Sequence, residues 1–146
     1  MLSLIQRVSD ASVTVDDEVV GRIGTGLLAL VGVEPGDGEA QVARMATRLL
    51  GYRVFADADG RMNRSLADTG GGLLLVSQFT LAADTRSGMR PGFSTAAAPE
   101  AAQGVFDRLL AECRERHAGA VESGRFGAHM VVRLANDGPV TFLLRA

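Results

Sequence analysis

Apolar residues recur along this chain in two rhythms, and the switch between them sets out an order of strands and helices. Residues 2–8 and 12–15 have strand character, and Val19, Val20 and Ile23 continue it beyond the Asp16-Asp17-Glu18 turn, so the opening predicts a meander. Residues 27–33 form an unbroken apolar run between Gly26 and Glu34-Pro35-Gly36, which predicts a central strand covered on both faces. The spacing then changes. Val42, Met45, Ala46, Leu49 and Leu50 recur at helical intervals, with Asp37 ahead of them and Gly51 behind. Ala102, Val105, Phe106, Leu109, Leu110 and Cys113 repeat that spacing after Pro99, and Gly119 closes the segment.

Between the two helices, residues 52–55 predict a short strand, Asp57-Ala58-Asp59-Gly60 a turn, and Thr69-Gly70-Gly71-Gly72 a flexible lead into a second buried strand at 73–76. After the second helix, residues 128–134 alternate cleanly and 140–144 return as an apolar run, predicting a closing pair of strands. The resulting order points to the α/β class. We expect a single domain over residues 1–146, with mixed β-sheets in a layered or barrel-like arrangement and two main helices packed on one face. The length is enough for one such core without staples.

Two interruptions carry candidate chemistry. The buried strand at 73–76 ends abruptly in Ser77-Gln78-Phe79-Thr80-Leu81, and strand ends in α/β sheets commonly hold sites. Ser77 and Thr80 offer hydroxyls, Gln78 an amide and Phe79 an apolar wall; a polar strand end with no chemistry is the alternative. A hydroxyl nucleophile needs a base within reach, and the sequence offers no clear one. His129 falls opposite Met130, Val132 and Leu134 in the strand alternation, which places it on the surface, and His117 belongs to the last turn of the second helix. The other interruption is Gly138-Pro139, inside Asn136-Asp137-Gly138-Pro139-Val140-Thr141. Proline cannot donate to a ladder and fixes its φ, so the segment is either a hairpin turn or a rigid corner presenting its carbonyls.

Downstream of Thr80, residues 82–94 form a long loop with Arg86, Arg90 and Phe93, a composition able to hold phosphates and stack a base. Arg61 and Arg64 are further candidate phosphate contacts, with solvated surface charge as the alternative. Gly21, Gly24 and Gly26 follow the order GxxGxG with no helix after them, so they are turn glycines and not a nucleotide loop.

Composition narrows the chemistry further. All 15 basic residues are arginine, which excludes Schiff-base and pyridoxal phosphate attachment and the lysine-bearing phosphate loop. One cysteine, Cys113, rules out a thiolate zinc site, an internal disulfide and a redox pair, and its place in the helical stripe makes it core packing. A net charge of −2 argues against a protein that coats nucleic acid, while leaving room for a local arginine patch. No signal-type segment or membrane span is visible, and we expect a soluble, cytoplasmic protein.

Taken together, Ser77-Gln78-Phe79-Thr80-Leu81, Gly88-Met89-Arg90-Pro91 with Phe93, and Asn136-Asp137-Gly138-Pro139-Val140-Thr141 closely resemble the D-aminoacyl-tRNA deacylase family. The opening Leu4-Ile5-Gln6-Arg7-Val8 and Ala11-Ser12-Val13 resemble it too. The resemblance implies a homodimeric hydrolase, without metal or organic cofactor, that cleaves the ester between a D-amino acid and the 3′-terminal adenosine of tRNA. It implies that the Gly138-Pro139 bond is cis and enters the opposite subunit's site as a chiral filter held by Arg7, with Met130, Asn136 and Phe93 also lining the substrate site. It implies acceptance of glycyl-tRNA, including glycine mischarged on alanine tRNA. For catalysis two accounts stand open: Thr80 as nucleophile, or the substrate's own 2′-hydroxyl assisting while Ser77, Gln78, Phe79 and Thr80 position the ester. We prefer the second. Gly92 departs from the commoner bacterial pattern, which has a polar residue there.

Overall fold

The computed structural model describes residues 1–146. Its frame is one long strand, β1 (Leu2–Val15), where two short ones were expected. One edge of β1 carries β3 (Gly26–Gly32) along the first half and β2 (Glu18–Ile23) along the second, while the other edge pairs with β8 (Val131–Arg145) almost throughout. Ser9 and Asp10 are exposed where the neighbour changes, and β8 stays beside them with a register shift between Val8 and Asp10 that leaves Ser9 unpaired.

Beyond β3 the sheet continues through parallel β6 (Gly72–Ser77) and β7 (Val121–Ser123). β7 then curls back toward β2: a Cβ at Gly21 would lie 2.6 Å from the Ser123 carbonyl oxygen. The result is a nearly closed, barrel-like mixed sheet, as expected. Successive residues of a strand point to opposite faces, and this explains the unbroken apolar runs. Leu27, Ala29, Val31, Leu73 and Leu75 pack under α1 (Glu39–Gly51) and α3 (Pro99–Arg116). Leu28, Leu74 and Val76 face the other way and meet Val8, Ala11, Val13 and Ile23. Each fully buried leucine contributes about 2 kcal/mol of transfer free energy, so both faces matter to the fold.

Three local expectations change. The strand expected at 52–55 reduces to β4 (Phe55–Ala56), which pairs with β5 (Met62–Arg64) around the 57–60 turn. The stretch at 69–72 begins in the last residue of a short helix, α2 (Leu66–Thr69), capped by reciprocal Ser65 and Asp68 hydrogen bonds and ended by Gly70 in the left-handed region. The expected closing pair of strands is the single strand β8, and Gly138-Pro139 is a bulge within it. Gln6 opposes Thr141 and Val8 opposes Asn136, so Arg7 alone stands across from residues 137–140.

Candidate active site

Parallel strands β3 and β6 end side by side, and a cleft of about 410 Å³ opens beyond their C-terminal ends. Val31, Val76 and Ser77 supply its base, Pro99, Ala102 and Phe106 of α3 one wall, and residues 126–130 another. The Ser77–Phe79 cluster enters because β6 stops there: the Gln78 amide donates to the Val31 carbonyl at 2.7 Å, and a 3-10 turn over Phe79–Ala82 follows. Gly32 makes room for that turn. A Cβ on it would lie 3.0 Å from Leu81 Cβ and 3.2 Å from the Gln78 carbonyl oxygen.

Ser77 and Gln78 are half-buried in the cleft, Phe79 is exposed at its mouth, and Thr80 lies just outside the lining. The Gln78 side-chain amide donates to the Thr80 hydroxyl. An amide cannot accept a proton from that hydroxyl, so this contact orients Thr80 without activating it. Phe93 stacks at a tilt on Phe79, with ring centroids 5.1 Å apart. Met130 lines the opposite wall, as does Phe126, whose ring lies 6.2 Å from that of Phe106.

His129 also lines this cleft. It is exposed, as expected, but it precedes β8 and shares a wall with Met130, so the strand alternation used to place it does not apply. It is the one ionisable side chain in the lining, and no hydrogen bond ties it to Ser77 or Thr80. His117 is buried at the end of α3, with Nε2 2.7 Å from the Gly71 carbonyl oxygen, in a structural contact remote from the lining. Cys113 is fully buried, and its burial pushes the thiol up to about 12, which fits core packing.

Gly138, Pro139, Arg7 and Asn136 form a second group that takes no part in lining the cleft of their own chain. The Gly138-Pro139 bond is cis, and both residues are exposed. Arg7 clamps the bulge from below: Nε donates to the Asp137 carbonyl at 3.1 Å and Nη1 to the Val54 carbonyl at 2.7 Å. Asn136 closes its base, accepting from the Val140 amide at 3.0 Å and donating to the Thr141 hydroxyl at 3.0 Å. Val140 then packs on the main core. Gly138 has φ +133°, and a Cβ there would meet Val140 Cγ2 at 2.7 Å and Arg7 Nη2 at 3.1 Å.

The chain matches the family described as D-Tyr-tRNA(Tyr) deacylase over residues 4–145. The chain belongs to the D-Tyr-tRNA(Tyr) deacylase family. It is 77% identical over 145 residues to the D-aminoacyl-tRNA deacylase of Stenotrophomonas maltophilia, and 75% identical over 145 residues to that of Xanthomonas axonopodis pv. citri, with 99% of each chain covered. Among solved structures, the c-Myc DNA unwinding element binding protein superposes with a TM-score of 0.95 at 36% identity, covering 100% of this chain and 99% of that one. A probable eukaryotic D-amino acid tRNA deacylase superposes at 0.81 with 18% identity, covering 99% and 98%, a likeness of fold.

In this member of the deacylase family the motifs thus fall into two places: a hydroxyl- and amide-bearing cleft, and an exposed, clamped backbone bulge. The loop after Thr80 joins the first. Asp84 and Gly92 pair through two backbone hydrogen bonds of 2.8 and 2.9 Å, an arrangement in which Gly92 needs no side chain. The Arg86 guanidinium, followed by its backbone amide, holds the Asp84 carboxyl well below the usual carboxylate range.

Proposed function

We propose that this chain hydrolyses the ester joining a D-amino acid to the 3′-terminal adenosine of tRNA, releasing free tRNA and the D-amino acid as a proofreading step in the cytoplasm. Family membership across residues 4–145 carries the proposal, and a cleft of about 410 Å³ suits an aminoacyl-adenosine end. Water adds to the ester carbonyl, the bond to the ribose oxygen breaks, and that oxygen leaves with a proton. The vicinal ribose hydroxyl assists, since Thr80 is bonded to an amide and not to a base. Ser77 and Gln78 hold the ester, and Phe79, Phe93 and Met130 enclose the apolar parts of the substrate. No metal or organic cofactor is needed.

Chirality is read by the carbonyls of the Gly138-Pro139 bulge, presented to the cleft of a second subunit. A backbone wall placed where an L side chain would project excludes it by clash, while a D side chain points away. Glycine has nothing to exclude, so glycyl-tRNA passes, including glycine mischarged on alanine tRNA. Arg7 and Asn136 supply the rigidity this requires. The homodimer is supported by β8, whose outer edge has no strand partner and along which Val131 (44% exposed), Leu134 (36%), Phe142 (38%) and Leu143 (49%) lie open on one face or the other.

The test incubates catalytic amounts of protein with D-tyrosyl-tRNA and L-tyrosyl-tRNA and follows the ester in each. Loss of the D-ester with the L-ester spared is the expected result. An unchanged D-ester lifetime would replace this proposal with a tRNA-binding module that does no chemistry.

A further inference from the structure

We infer that the loop over residues 84–92 is a docking arm for the single-stranded nucleotides that precede the terminal adenosine, with Arg90 meeting a backbone phosphate and Met89 lying against a base. The inference rests on the deacylase proposal and adds a subsite to it.

The loop springs from the cleft wall at both ends, since Phe79 before it and Ala97 after it line the cleft. Its base is fixed. The Asp84–Gly92 backbone pair closes it, and the Thr95 hydroxyl donates to the Ala82 carbonyl. The two arginines beyond that base have different fates. Arg86 is consumed internally: Nε and Nη2 donate to the two Asp84 carboxylate oxygens at 2.9 and 2.8 Å, and its amide adds a third bond at 3.0 Å. Arg90 is exposed and makes no ion pair or hydrogen bond within the chain, so its guanidinium is available to a ligand. Beside it, Met89 is 100% exposed at the loop tip, and Phe79 and Phe93 form a half-exposed aromatic ledge between tip and cleft.

A free cation, a bare thioether and an aromatic ledge leading to a cleft form the combination that binds single-stranded nucleic acid, where cations track phosphates and flat or polarisable side chains take the bases. A substrate whose terminal adenosine occupies the cleft leads its phosphate chain out past an exposed part of the lining, and Phe79, at the foot of the arm, is one such part. The arm contacts backbone and base faces, so it adds affinity without adding sequence preference.

Two substrates with the same ester separate the arm from the chemistry: D-tyrosyl-tRNA, and D-tyrosyl-adenosine, which lacks the preceding nucleotides. Arg90→Ala is expected to raise KM for the tRNA on the order of tenfold with kcat unchanged, and to lower the slope of log affinity against log salt by about 0.7, the value for one phosphate on a single strand. The same variant leaves D-tyrosyl-adenosine hydrolysis unchanged, and Arg44→Ala on α1 alters neither substrate. Fluorescence titration with uncharged tRNA, which needs no chemistry, weakens by the same factor. Equal binding by wild type and Arg90→Ala, or equal losses on both substrates, overturns the arm. A wild-type protein that binds tRNA yet hydrolyses neither ester overturns the function proposal and leaves the arm to be judged by the titration alone.

Discussion

The hydroxyl of Thr80 and the thiol of Cys113 are the two side chains a search for nucleophiles reaches first, and neither is hydrogen-bonded to a base. Thr80 accepts from the Gln78 amide, which can steer a hydroxyl but cannot deprotonate it. Thr80→Ala should therefore keep kcat on D-tyrosyl-tRNA within about tenfold of wild type, whereas loss of a nucleophile costs about a thousandfold or more. A loss of the larger size with tRNA affinity intact would reinstate Thr80 as nucleophile. Cys113 tells through titration instead. An exposed thiol ionises near 9.0, but burial holds this one protonated to about 12, so between those values the folded chain binds more protons than the unfolded one. Stability should fall with rising pH across that window, and the fall should be shallower in Cys113→Ala. Urea midpoints of both proteins at about pH 8 and about pH 10.5 check this.

At the scale of elements, the bulge in β8 has most to answer for. Gly138 holds φ +133°, and any Cβ there would press on Val140 and on the Arg7 guanidinium that clamps the bulge. Gly138→Ala therefore costs about 1–3 kcal/mol locally, and the carbonyls it displaces are those proposed to judge chirality. The expected outcome is a ratio of D- to L-tyrosyl-tRNA hydrolysis reduced on the order of a hundredfold. A ratio unchanged in a folded variant would remove the filter from this segment. The same element shows what a single sequence makes legible. Residues 73–76 and the stripes of α1 and α3 were readable because burial on a face leaves a local period. The single turn of α2 is too short to leave a hydrophobic period, and its order comes from the reciprocal Ser65 and Asp68 cap. β8 was not readable as one strand, since its continuity depends on Arg7 spanning residues 137–140 from the far end of the chain. His129 is exposed, as its sequence suggests, but its place in the cleft lining was not readable, because only tertiary packing brings its loop there.

Across the whole molecule, the two halves of the proposed site stand apart, and this separation makes a prediction that neither half makes alone. The cleft with Ser77, Gln78 and Phe79 and the bulge with Gly138 and Pro139 do not meet within one chain. If each cleft is completed by the partner's bulge across the apolar edge of β8, a variant broken in the cleft and one broken in the bulge should repair each other. Gln78→Ala serves as the first and Gly138→Ala as the second. In a mixed dimer, the intact cleft of the Gly138→Ala chain faces the intact bulge of the Gln78→Ala chain, while the other site carries both defects. Random reassortment at equal amounts makes about half the dimers mixed, so selective hydrolysis should return to about a quarter of the wild-type level per site. Separately assayed variants, summed, set the baseline. Recovery above it, lost again when Leu143→Asp charges the apolar edge, is the expected result. A mixture that never exceeds that baseline, although native mass spectrometry shows mixed dimers, would place the cleft and its filter in the same subunit or deny the bulge its part.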